Sequence, residues 1–309
     1  MDSDVTVDPD TLGRLARHFG DDRVALVGPR VRSLASRKAR WHERFDAHSS
    51  SLDLSDRGCS VRTGAAVAWL PGACLVGRVD RLGAGFADGL RVGEDVDLVW
   101  RLVDAGHVVR YDPHETAGHG ARSTIRSWLG RKIVYGTGGA VLAARHGDRT
   151  AVAALSPTAA LAAAALLARR NWSLPVAALA MLRTRRALVA ELPDDPERGA
   201  LATSLTCRGV GWALRQETAL LLRHWWPAAA AAAVVSPTAR RLVVSAALLD
   251  LALGLNAKPT PATAFVGRRL DDLAYGTGLW LGAIRMGSWR CLKTRRPGSS
   301  SRAAALSSG

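Results

Sequence analysis

Two adjacent carboxylates, Glu94 and Asp95, open the stretch GEDVDLVWRLVDAGHVVRYDP, residues 93–113. At a helix N-terminus the dipole and the free N–H groups hold a carboxylate ionised, by up to about 1 kcal/mol. That is enough to keep a base charged at neutral pH; the plainer role for the pair is to cap the helix. A second pair, Asp2 and Asp4, stands two positions apart. In an extended segment both would project to one side. From there they could hold a hard divalent cation, and through it phosphate oxygens. A frayed acidic terminus is the competing reading. His119 follows a strand expected to run beside the one at the D-x-D, where it could add an imidazole ligand or serve only as polar surface.

These side chains need elements to position them. After Glu94-Asp95 a helix is expected, with Val96, Val99, Trp100, Leu102 and Val103 on its buried side. Gly106 takes the left-handed position that ends it, and a strand over 107–111 follows. Upstream, a helix is expected over 11–19 and a strand over 24–27 that stops at Gly28-Pro29. Residues 33–56 are polar and basic and read as a helix or long loop over a cleft. Within the apolar run 65–78, Gly72 marks a sharp break; it allows close backbone approach to a ligand, or merely a bulge. A basic helix with Arg122, Arg126, Arg131 and Lys132 leads into Tyr135-Gly136-Thr137-Gly138. The same tetrapeptide recurs at Tyr275-Gly276-Thr277-Gly278, read as small residues for close helix packing.

Composition sets the outer bounds. At 309 residues, 48% of them hydrophobic, two domains of ordinary size are expected. A formal charge of +15 fits an anionic membrane surface or a phosphorylated substrate. With three tyrosines, four phenylalanines and no recognisable nucleic-acid motif, no nucleic-acid partner is expected. Cys59, Cys74, Cys207 and Cys291 form no C-x-x-C and suggest neither a zinc site nor a disulfide framework. No signal peptide precedes the first acidic residues, so the cytoplasm or the cytoplasmic face of the cell membrane is the expected location. From 147 the chain turns into apolar, alanine-rich runs flanked by arginines, with Trp172, Trp225, Trp226, Trp280 and Trp289 near basic residues. This reads as a helical region that rests on the membrane, set against a plain alanine/leucine bundle. From Arg295 the composition is that of a disordered tail.

Taken in order, DSD, VGPRV, PGACLVGR, a glycine loop, GEDVDL, YDP and His119 closely resemble the latter part of a family-2 glycosyltransferase catalytic domain of the GT-A type. Within that family, GEDVDLVWRL with YGTGGAVLAARH is similar to the glycosyltransferases of mycofactocin biosynthesis. The resemblance implies an α/β fold: the C-terminal half of a GT-A domain over 1–146, then a helical, membrane-leaning region over 147–294 and a tail over 295–309. It implies that Asp2 and Asp4 bind Mg²⁺ or Mn²⁺ and that His119 completes the metal site. Gly72 would lie in the loop lining donor and acceptor, Asp95 would be the general base, and Glu94 would orient it or bind acceptor. The implied chemistry is inverting transfer from a nucleotide sugar, UDP-glucose by the narrower likeness, to a peptide-derived or glycan acceptor.

Two departures shape further expectations. In such enzymes the part that builds the nucleotide pocket precedes the D-x-D, and here the motif stands at the start, so this chain is expected to bind donor poorly. The Q-x-x-R-W motif of processive members has only a distant echo in Arg122–Trp128. A rival from another class is a basic, membrane-associated binding protein that retains the motifs as relics.

Overall fold

The computed structural model describes residues 1–36 and 38–297. Its framework is a parallel pair of long strands, β2 (Val24–Leu34) and β5 (Val108–Gly120), paired from Val24↔Val108 to Leu34↔Gly120 with two shifts of register. β1 (Val5–Val7) and α1 (Thr11–Ala16) precede this pair, and α2 (Trp41–Ser49), β3 (Cys59–Ser60), β4 (Val76–Gly77) and α3 (Glu94–Asp104) lie between its strands in sequence. β1 and β3 pair antiparallel with β5, and β4 antiparallel with β2, giving the order β1-β5-β2-β4 with β3 on β5. The fold class is α/β.

α3 covers the sheet as its apolar spacing predicts. Leu98, Val99, Trp100 and Leu102 are buried against Ala25, Leu26, Val109 and Tyr111. Gly93 before the helix and Gly106 after it both have positive φ, +81° and +83°. The long strands overrun their expected ends. β2 does not stop at Gly28-Pro29, and β5 runs beyond Tyr111 to include His119. The pairing jumps from Pro29↔Asp112 to Arg30↔Thr116, so Pro29 and Pro113 sit at one irregularity, where the ladder asks for no proline N–H. α1 and the 3-10 turn that follows it, Arg17–Gly20, are clamped to this bulge by Arg14–Glu115 (2.5 Å) and His18–Asp112 (2.8 Å). The run 65–78, expected as two strand-like pieces, is mostly turn, with only Val76–Gly77 paired.

The second part of the chain is helical: α4 (Ile125–His146), α5 (Pro157–Ala168), α6 (Ser173–Glu191), α7 (Arg198–Ala219), α8 (Trp226–Val235), α9 (Pro237–Leu253) and α10 (Pro261–Arg285). Alanines at the α5–α6–α7 contacts (Ala162, Ala165, Ala177, Ala180) let these helices pack closely. Among the described residues no helix is long and apolar enough to cross a membrane. β6 (Ala153–Ala154) pairs with β7 (Thr294–Arg295), so Arg295, given to the tail by composition, belongs to a small parallel sheet. The rest of the expected tail, 298–309, lies outside the described residues.

The two copies of Tyr-Gly-Thr-Gly meet. α4 and α10 cross with Gly136 against Gly278, and a Cβ on Gly278 would run into the Ile133 carbonyl. A Cβ on Gly282 would stand 2.6 Å from the Thr137 carbonyl oxygen. The obstacles are backbone, which cannot turn aside as a side chain can. Gly278→Val is therefore expected to destabilise the chain by about 1–3 kcal/mol or more. Urea unfolding checks it, with Gly130→Ala, a site with nothing within 4 Å, as the control.

Candidate active site

Asp2, Asp4, Gly72, Glu94, Asp95 and His119 all line one cleft of about 680 Å³. Asp95, first-turn residue of α3, is half-buried and turned toward the loop at Gly72. Its Oδ2 accepts the Gly72 backbone N–H (2.9 Å) and its Oδ1 accepts the Val96 N–H (2.8 Å). Burial pushes the Asp95 carboxyl above the usual carboxylate range, against the pull of those N–H donors. Glu94 is exposed, and burial followed by the neighbouring charge of Asp95 raises it as well. A Cβ at 72 would meet the Asp95 side chain only at ordinary contact distances of 3.4–3.9 Å, so the carboxylate uses the N–H of residue 72 and does not require its lack of a side chain.

The D-x-D lies differently from expectation. Asp2 and Asp4 sit in a turn ahead of β1, not in an extended segment, because pairing with β5 begins only at Val5↔His119. The Asp2 N–H reaches the Ala73 carbonyl (2.9 Å), tying the turn to the Gly72 loop. That register brings His119 Nε2 within 3.3 Å of Asp4 Oδ2. Among the described residues no group of three side chains is gathered tightly enough to enclose a metal. The donor set (two carboxylates and an imidazole on one cleft) is nevertheless of the kind a divalent cation takes, and the Asp4–His119 contact already joins two of its members.

Residues 1–253 match the family described as Glycosyl transferase family group 2. The chain belongs to that family. Two relatives, each described as a pre-mycofactocin glycosyltransferase, come from Mycobacterium tuberculosis strains CDC 1551 / Oshkosh and ATCC 25618 / H37Rv. Each is 37% identical over 301 residues, covering 92% of this chain. The chain spans 63% of the length of these relatives.

What positions Asp95 in this glycosyltransferase-family chain is a residue that motif reading passes over. Asp97, one half-turn on, is fully buried. It accepts from Arg101 (2.9 Å), from Arg145 (2.7 Å) and from the His146 ring (2.9 Å). Burial works to raise its carboxyl, but the hydrogen bonds from Arg145, Arg101 and His146 outweigh it and hold it below the usual range. Trp100 braces the same junction. Its ring meets His146 edge-on at 5.0 Å, and its Nε1 donates to the Ala68 carbonyl (2.8 Å). The start of α3 is thereby locked to the end of α4. The hints in the sequence are Arg101, four positions on in the same helix, and the string Ala-Arg-His at 144–146, whose partner lies far upstream.

Proposed function

We propose that this chain carries the acceptor-side machinery of an inverting GT-A glycosyltransferase that moves glucose from UDP-glucose to a hydroxyl of pre-mycofactocin or its growing glycan. The reading is supported above all by one observation: Asp95, the D-x-D and His119 line a single cleft. Asp95 is the general base. As an acceptor oxygen attacks the anomeric carbon, the Asp95 carboxylate takes its proton, the bond to the diphosphate oxygen breaks, and UDP leaves from the opposite face. The Gly72 and Val96 N–H groups hold that carboxylate in one orientation. Glu94 borders it and orients acceptor hydroxyls. Asp2, Asp4 and His119 would hold Mg²⁺ or Mn²⁺, whose contribution there is to offset the charge that gathers on the departing diphosphate.

The test is UDP release from UDP-glucose with pre-mycofactocin as acceptor. The expected result is glucosylated product with Mn²⁺ or Mg²⁺ present, loss of product in EDTA and recovery on readdition of metal. UDP-glucose is used at saturation because weak donor binding is expected; turnover indifferent to chelation would remove the cation from the reading, and absence of transfer at saturating donor would remove the reading itself.

A further inference from the structure

The cleft is not built by the α/β part alone. Its other wall comes from α4, from α10 and from the turn Leu220–His224, and it carries Tyr135 and Tyr275. These are two of the chain's three tyrosines; the third, Tyr111, is 2% exposed in the core. Leu220–His224 is a π-helical turn, closed by the Trp225 N–H on the Leu220 carbonyl (2.7 Å). Such turns are rare and concentrate at functional sites.

Two cations of this wall, Arg223 and Lys132, are engaged by carboxylates. Arg223 bridges Asp271 (3.0 Å) and Asp272 (2.6 Å) and lies 4.0 Å from the Tyr275 ring centroid. Lys132 pairs with Asp271 at 2.7 Å. Arg269 also pairs with Asp272 (2.7 Å), so the cations at this corner are spent on the two carboxylates, and the wall's remaining positive charge is Arg131, beside Tyr135. The tyrosine rings are what this wall offers a ligand. Neither phenol hydroxyl has a hydrogen-bond partner among the described residues, and Arg131 stands 5.2 Å from the Tyr135 ring, stiffening it from one side. A half-buried ring with a spare hydroxyl gives a flat apolar surface and a polar rim.

We propose that Tyr275, with Tyr135 beside it, is the platform on which the acceptor lies: a ring-bearing alcohol whose hydroxyl is presented to Asp95. This rests on the glycosyltransferase reading above. It makes the helical part a substrate-positioning wall and not an appendage. The ring could be aromatic or a pyranose, and both share this chemistry.

The experiment uses the full chain with UDP-glucose and Mn²⁺, and either p-nitrophenyl β-D-glucoside or cellobiose as acceptor. Tyr275→Ala and Tyr135→Ala are expected to raise the acceptor KM about tenfold while the UDP-glucose KM stays as in the parent. Tyr275→Phe, which keeps the ring, should recover most of the loss and guards against misfolding, as does the circular-dichroism melt of each variant. A larger effect with the aryl glucoside assigns an aromatic body, and an equal effect with cellobiose assigns a sugar ring. Saturation-transfer NMR of both compounds on parent and Tyr275→Ala reads binding without turnover. Unchanged acceptor binding in the alanine variants, or binding of neither compound to the parent, overturns the platform. Transfer that persists in Asp95→Asn overturns the glycosyltransferase reading instead, whatever the tyrosines do.

Discussion

Asparagine at position 95 is expected to slow sugar transfer by about 10²–10⁴-fold, the usual worth of a positioned base. The exchange is nearly isosteric, yet an amide cannot take the acceptor's proton. It also cannot reproduce the present pattern, in which each carboxylate oxygen accepts one backbone N–H, from Gly72 and from Val96. One amide edge would face a donor with a donor. The loss should fall on kcat, with the UDP-glucose KM changed little, because the group acts on the acceptor side. Glu94→Gln should cost far less, since Glu94 is exposed and accepts no hydrogen bond among the described residues. Steady-state kinetics of both variants decides the matter, and equal losses at 94 and 95 would count against Asp95 as the base.

The next largest effect is expected in stability. Asp97→Ala leaves Arg101, Arg145 and the largely buried His146 without their common acceptor. Breaking a buried charged pair from one side costs about 3–5 kcal/mol, and chemical denaturation measures it. The pH dependence has a definite sign. A carboxyl held low in the folded chain and near 3.9 when unfolded contributes stability above about pH 3.9, and that contribution fades as pH falls through the folded value. The gap between parent and Asp97→Asn should therefore be widest near neutrality and shrink in acid. A gap that widens on acidification would contradict the assignment. Because Asp97 fixes the first turn of α3, some loss of transfer should accompany the loss of stability.

Local chemistry made much of this legible beforehand. α3 announces itself by apolar spacing and a closing glycine, and its bounds, Glu94–Asp104, follow from them. The cleft partners were legible only as an ordered set of short motifs, since no single one carries the chemistry. The prolines misled. Pro29 and Pro113 read as strand ends because a proline cannot donate to a ladder, but Pro29 pairs with Asp112, next to Pro113, at a register shift past which both strands run on. Asp97 was hard to see for a different reason: its near partner Arg101 reads as an ordinary i,i+4 helix pair, and the other two lie 48 and 49 positions away, a range that leaves no local trace. The arginine-flanked alanine runs suggested a headgroup layer. Alanine also lets helices approach closely, and α5, α6 and α7 use it so. Composition alone does not separate those two uses.

The crossing of Gly136 with Gly278 has a consequence for how the chain is made. The α/β strands can pair as soon as they leave the ribosome, but the wall opposite them comes from a helix that emerges much later. Until α10 arrives, the glycine seam of α4 is uncovered and open to any other small-residue helix face. A nascent chain halted before that point would carry the carboxylates of the cleft without their opposing side.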